Sequence, residues 1–564
     1  MVPITRICDR PMLRQSLFFC ASGLALFAAH PALAASGDDS AEMQRYVTAR
    51  IAEMDGRGNV AFKGFLELFK DNSDSPAVTD RLLANAVRSG DMPSAVAAVR
   101  AQELRNQADG TAPMLLYADA FRKKDWPAAK IAIAELEAKS NYAFVAPLLT
   151  SWINVAQRRP HDLKPIDMSS QQLLNYYASD QRVYFELGSG NIKAAKEMLP
   201  AFAGSDTDFA RDLIIRAAPV LSAKGESPFA ASMLNNIVER SYVPALTKPA
   251  QSKGAAALRP EEGLAALFTR LAGSLLEQKV PEQALILSRI ANWLDPTSDP
   301  AKLTLARALQ ENGQDISTRA ILTNIPITSP YWPRAVADEV RMLAESNRLA
   351  EAMQRASLAQ KQHPGSANLI LLTAQMYENA GDFNAASIAY TKIVSDARTQ
   401  DIPPRQKALY LLFLATAQNK SDQWESAKKN LQEANAIDPD NAYILNYLGY
   451  ALLERGEQLD KALGYVKRAY QLAPQSSAIT DSLGWGYYLS GKYDLALPLI
   501  EKAARQSGND LAINEHLGDV YWQLNRRVDA RYAWKIAAQR AVGKESDRLF
   551  QKINFGLRKS LQKL

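Results

Sequence analysis

Residues 441–537 read NAYILNYLGYALLERGEQLDKALGYVKRAYQLAPQSSAITDSLGWGYYLSGKYDLALPLIEKAARQSGNDLAINEHLGDVYWQLNRRVDARYAWKIA. Three Leu-Gly pairs punctuate this stretch: Leu448-Gly449, Leu483-Gly484 and Leu517-Gly518, spaced 35 and 34 residues apart. An alanine follows each glycine by 12 or 13 residues (Ala462, Ala496, Ala530), and a second comes seven residues later (Ala469, Ala503, Ala537). Between the two alanines stands one large apolar residue: Val466, Ile500 or Trp534. A fixed period of this length marks stacked supersecondary units. Each unit reads as two antiparallel helices joined by a tight turn. Small residues are required where the helix backbones cross, and large ones fill the gaps between turns. Gly456-Glu457 and Gly491-Lys492 mark the turn, where glycine ends the first helix. Pro439 and Pro474 follow Ala434 and Ala469 by five residues, where the second helix must stop.

The same marks extend upstream. Leading alanines recur at Ala284, Ala320, Ala352, Ala386 and Ala427, with one long step that holds Pro403-Pro404. Fainter copies stand at Ala95 and Ala129 and at Ala195 and Ala230, with turns at Gly90-Asp91 and Gly190-Asn191. Residues 140–175 should hold a further, degenerate pair. The expectation is an all-α protein, an α-solenoid of about twelve helix pairs in two arms. A divergent arm spans 35–243 and a regular one 261–540. Between them, the run SYVPALTKPAQSKGAAALRP (241–260) carries three prolines, a glycine and two lysines, which predicts a loop or hinge over 244–260. Residues 541–564, with Leu549, Ile553 and Leu557 at helical spacing, suit a capping helix over the last apolar face.

The start of the chain has a different logic. Arg6, Arg10 and Arg14 precede an apolar run from Leu17 to Ala29, followed by the small-residue site Ala32-Leu33-Ala34. That is the layout of a secretory signal peptide over 1–34, and it predicts export to the periplasm. Met12 would make a tidier start than Met1. Both cysteines, Cys8 and Cys20, lie in this leader. After its removal the chain has no thiol chemistry. Phe19 stands where a lipidated Cys20 would want a small residue, so membrane anchoring through that cysteine is disfavoured. The whole chain of 564 residues carries a net charge of +6. So small a surplus does not argue for nucleic acid or a membrane surface as partner. No later stretch has the 18 or so unbroken apolar residues of a membrane helix.

Signatures of catalysis are missing. His161, His363 and His516 are the histidines after the leader, and they fall in different repeats. His516, with Glu515 beside it and Asp519 three residues on, reads first as a hydrogen-bonding residue on a helix face. The sequence has no HExxH, no phosphate loop ending in Lys-Ser/Thr and no Gly-x-Ser-x-Gly. No catalytic, cofactor or metal site is expected. Carboxylates are plentiful, so a pair for glycoside cleavage is not excluded by residue type.

The segments LNYLGYALLERG, DSLGWGYYLSGKYDLALPLIEKAA and INEHLGDVYWQLNRRVDARYAWKIA resemble tetratricopeptide (TPR) repeats, most closely over 430–540. This block also resembles bacterial envelope TPR proteins, among them lipoprotein adaptors of periplasmic carboxy-terminal processing proteases. The resemblance implies a non-enzymatic adaptor or scaffold that binds other proteins or peptides, such as a protease and its substrates or cell-wall enzymes. A structural part of an envelope assembly or polysaccharide export system, and a helical-repeat enzyme on cell-wall sugar, stay open as alternatives. In such a solenoid the first helix of each pair lines a concave groove. Positions three before, one after and four after the repeat glycine share one helical face. They select Asn446, Tyr450 and Leu453, then Asp481, Trp485 and Tyr488, then Glu515, Asp519 and Trp522. This ladder of aromatic and acidic groups predicts a ligand that is neutral or basic at its contacts. Packing of Trp485, Tyr488 and Trp522 between neighbouring helices is the competing reading.

Overall fold

The computed structural model describes residues 37–104, 110–161, 163, 171–205, 207–235, 237–248, 257–395 and 403–557. The leader expected over 1–34 lies outside them. Among the described residues the chain is all-α, with 29 α-helices, three short 3-10 turns and no strand. Two compact units divide it, Met1–Arg348 and Leu349–Leu564.

The N-terminal unit begins with α1 (Gly37–Met54), α2 (Gly58–Asp71), α3 (Pro76–Ser89), α4 (Met92–Glu103), α5 (Ala112–Lys123) and α6 (Trp126–Lys139). It continues with α7 (Ala146–Ala156), α8 (Gln171–Ser189), α9 (Ile192–Met198), α10 (Asp208–Ala223), α11 (Ser227–Leu234) and α12 (Val243–Thr247). Then come α13 (Pro260–Glu277), α14 (Pro281–Leu294), α15 (Asp299–Glu311), α16 (Asp315–Thr323) and α17 (Trp332–Glu345). The turns form where the sequence places them. Gly90 and Gly190 take left-handed φ of 86° and 77°, and the following Asp91 and Asn191 cap α4 and α9 by accepting from Ser94 N and Ala194 N.

Two expectations for this unit change. Within 140–175 the described residues hold one 3-10 turn and one helix, α7, before the long α8 begins at Gln171. The expected loop over 244–260 holds a short helix, α12, and residues 249–256 lie outside the described set. Nor does the compact division fall there; it falls between Arg348 and Leu349. The reason is packing across the segment. Helix α14 lies against α3, α4 and α5, while α13 lies against α7 and α8. One buried core runs continuously from Ala86 to Leu309. Gly263 on α13 makes room for Trp152 on α7, since a Cβ there would lie 2.0 Å from the indole. The Trp152 Nε1–H donates to Gln181 on α8 at 2.9 Å. Arg289 on α14 donates to the Val87 carbonyl at 2.8 Å and to that of Arg88, at the C-terminal end of α3. Burial, with carbonyls but no carboxylate as partners, pushes its pKa down to about 10.

The C-terminal unit holds α18 (Leu349–Gln362), α19 (Ala367–Asn379), α20 (Phe383–Ser395), α21 (Pro404–Lys420), α22 (Trp424–Ile437) and α23 (Ala442–Glu454). It ends with α24 (Leu459–Leu472), α25 (Ser477–Leu489), α26 (Tyr493–Ser507), α27 (Leu511–Gln523), α28 (Arg527–Ala538) and α29 (Lys544–Phe555). Here each pair packs mainly on its neighbours in sequence. The repeat glycines sit at the crossings within the pairs. A Cβ on Gly449, Gly484 or Gly518 would lie 2.6, 2.4 or 2.3 Å from Val466, Ile500 or Trp534. Those three large residues and the six repeat alanines from Ala462 to Ala537 are fully buried. At the turn between helices, Gly456 and Gly491 have φ of 67° and 72°, and Asn525 takes the third such place at 62°. Asparagine is the side chain that best tolerates this region.

Candidate functional site

Helices α23, α25 and α27 are the first helices of three successive pairs, and each is started by a side-chain cap. Asn441, Ser476 and Asp510 accept from the backbone N–H of Ile444, Ile479 and Ile513. The caps and the glycine crossings fix the three helices in one register. Nine positions were expected on a shared open face, and the structure sorts them into three kinds.

Three are core. Leu453 and Tyr488 are buried, and the Trp522 ring is clasped between Gly556, Trp534 and two guanidinium groups. Arg527 lies 3.9 Å and Arg531 5.2 Å from the Trp522 ring centroid. The groove reading therefore fails for Tyr488 and Trp522, because the aromatic spacing here serves packing between helices.

Two are covered by the chain itself. Glu515 and Asp519 are buried, and α29 lies over them. Arg548 forms a two-pronged pair with Glu515 at 2.8 and 2.7 Å. Lys552 reaches Glu515 at 2.7 Å and both oxygens of Asp519 at 2.9 and 2.8 Å. Trp534 also donates to Asp519, at 2.9 Å. Burial raises the pKa of both carboxyls. The Arg548 and Lys552 cations outweigh it at Glu515, which ends below its ordinary value, but not at Asp519, which ends above. Glu515 and Asp519 are thus not free contact points, and their basic ligand is the capping helix.

Four remain. Asn446, Tyr450 and Trp485 are half-buried and Asp481 is buried. Trp485 is stacked between His516, at 3.9 Å between ring centroids, and Tyr488, at 4.4 Å. Its indole N–H donates to Glu454. His516 Nδ1 lies 2.8 Å from Asp481 Oδ2, so the histidine links adjacent repeats as a hydrogen-bonding residue. Burial alone would lower its pKa. The Asp481 carboxylate, with Asp519 and Glu454, holds it above the ordinary value. Burial raises the Tyr450 phenol far above its usual range, with Glu454, Asp481 and Glu515 adding to the shift and Arg548 opposing it. The second oxygen of Asp481 and the side-chain oxygen of Asn446 are buried with no hydrogen-bond donor among the described residues.

Sequence reasoning missed Arg548, Lys552 and Glu454 as members of this cluster, and gave His516 as a hydrogen-bonding residue on a helix face without its partner Asp481. One signal was available. Arg548 and Lys552 stand 34 residues after Asn514 and Gly518, so α29 continues the repeat register with lysine at the glycine position. Among the described residues no group of three or more His, Cys, Asp or Glu is placed to hold a metal ion. No described helix is long and apolar enough to cross a membrane.

No protein-family model matches the chain. It is 29% identical over 223 residues to a curated TPR repeat-containing protein of Pseudomonas aeruginosa. That similarity covers 39% of this chain and 36% of the relative, so the chain matches about a third of the relative's length. Among solved structures it is similar to a chain of the APC/C hetero-tetramer Cut9-Hcn1, with 15% identity over 91% of this chain and 96% of that one, at a TM-score of 0.37. It is also similar to a tetratricopeptide repeat protein from Parabacteroides merdae, with 14% identity over 46% of this chain and 98% of that one, at 0.37. At such TM-scores neither likeness bears on function. The 34-residue helix-pair register and the glycine crossings that enforce it are thus those of a solenoid of helix pairs of the tetratricopeptide type, to which the similarity with the curated TPR repeat-containing relative also points.

Proposed function

We propose that the chain is an exported, periplasmic scaffold that holds partner proteins and delivers substrates to a protease or to cell-wall enzymes. Its C-terminal unit takes a basic or neutral partner segment along the face of Asn446, Tyr450, Asp481 and Trp485. One observation carries this reading. Asn446 and Asp481 hold the same register position in successive repeats, and each keeps a buried acceptor oxygen without a donor. Leaving a buried acceptor unmade costs about 1–3 kcal/mol, which a donor from a partner would recover. The local charge supports a cation as that donor. Glu454, Asp481, Glu515 and Asp519 supply four carboxylates, against Arg548, Lys552 and one imidazole. The next acidic positions in this register already bind ammonium and guanidinium groups, those of α29.

The test is affinity capture from a crosslinked envelope fraction, comparing residues 35–564 with the Asn446→Ala/Asp481→Asn variant. A small partner set lost in the variant, with its helical circular dichroism retained, is the expected result. Partners retained in both would move the interface off this face. No partner in either would reopen catalysis on wall sugar.

A further inference from the structure

The N-terminal unit carries a cleft of opposite charge. It lies between α4, α5 and α14 and encloses about 690 Å³. Its apolar surface includes the Trp293 indole and Leu104, a side chain left 89% exposed at the lip. Its wall holds three cations and one carboxylate. Arg100 and Lys123 both donate to the same oxygen of Asp119, at 2.9 and 2.8 Å. Asp119 is buried, while its two partners keep more than half of their side-chain surface in solvent. Arg122 stands over the indole, 4.4 Å from its centroid, and makes no ion pair among the described residues. One carboxylate thus faces three cations, leaving the wall with an excess of two positive charges.

We propose that this cleft docks an acidic segment of a partner protein. A large apolar side chain settles on Trp293 and Leu104, flanked by carboxylates that pair with Arg122 and with the outer donors of Arg100 and Lys123. Three physical points favour that occupant. A guanidinium stacked on an indole keeps its edge N–H groups free for two-pronged carboxylate binding. Asp119 already orients Arg100 and Lys123, so less side-chain entropy is lost when a second anion arrives. An exposed leucine and an indole lining the same cleft give an apolar anchor, which a purely electrostatic partner such as a phosphate backbone would leave uncovered. The site is independent of the groove in the C-terminal unit.

The test uses the full chain labelled with 5-fluorotryptophan and followed by fluorine NMR. The eight tryptophans report separately, and Trp293→Phe assigns the resonance of interest. The probe is the peptide acetyl-Glu-Phe-Glu-amide, with acetyl-Lys-Phe-Lys-amide and oligothymidylate as comparisons. The expected result is a saturable shift of the Trp293 resonance by the acidic peptide. In Arg122→Glu binding should weaken about tenfold, the scale of one charge-assisted pair, with the other seven resonances unmoved. No shift, an equal shift with the lysine peptide, unchanged affinity in Arg122→Glu, or stronger binding of oligothymidylate would each overturn the proposal.

Discussion

The Lys552 ammonium sits at 4% side-chain exposure among oxygens of Glu515 and Asp519. Breaking a buried ion pair from one side leaves an uncompensated charge. Lys552→Met should therefore destabilise the C-terminal unit by about 3–5 kcal/mol, measured by denaturant unfolding. A comparable loss follows from overfilling a crossing. In Gly518→Ala the new Cβ would lie 2.3 Å from Trp534, which is fully buried. The expected cost is about 1–3 kcal/mol, read from the same unfolding curves, and a neutral result would disprove the crossing. His516 gives a prediction in pH. Its folded pKa is raised by Asp481, so its contribution to stability is complete below the ordinary value of about 6.5 and is lost as pH rises through the folded value. The melting-temperature gap between the wild type and His516→Gln should narrow on that rise; a constant gap would remove the linkage. These residues also show how far the site could be read in advance. Helical spacing from the repeat glycines put these positions on one helical face, and their acidity led to the expectation of a neutral or basic ligand. It could not tell that Glu515 and Asp519 already have that ligand, because spacing within a helix says nothing about which later element covers it.

Helix α29 is where one element decides the chemistry of another. Its Leu549 is fully buried, while Phe550 and Phe555 stay exposed, as befits a cap with one face down. Ending the chain at Arg540 should strip Arg548 and Lys552 from the acidic face, lower the melting temperature, and raise amide exchange in α27 and α28 first. It should also raise affinity for a lysine-rich peptide, measured by fluorescence anisotropy. Exchange spread evenly over the unit would count against a local cap. The regular helix pairs were legible because each needs glycine or alanine at fixed places for its backbones to approach. Asn525 shows the limit of such marks, since it fills a glycine's place in the turn at a φ of 62°. The stretch 140–175 has no glycine turn at all. There the expected pair gave way to α7 followed by the 19-residue α8, whose length no repeat mark announced.

At the scale of the whole molecule, each unit has its own way of holding together. The C-terminal unit follows the rule of a solenoid, with stability carried by similar interfaces between neighbours. The N-terminal unit does not, since α14 returns to α3, α4 and α5. Local composition could not reveal this. Prolines, glycine and lysines at 241–260 describe how the chain behaves there, not what the helices beyond it pack against. Arg289→Ala should leave the Val87 and Arg88 carbonyls without their donor and raise amide exchange in α3 through α5 together with α13 and α14. Exchange in the C-terminal unit should stay unchanged. A rise confined to α14 would mean that the return contact carries little. The same contact has a consequence in time. Arg289 meets Val87 across 202 residues. A ribosome adds about 5–20 residues per second, so α3 stands without its arginine for roughly 10–40 s of synthesis. Each repeat of the C-terminal unit meets its neighbour within about 2–7 s at that rate. The N-terminal unit is therefore the one whose helices wait longest for their partners, and it is the unit most in need of a chaperone while the chain is made.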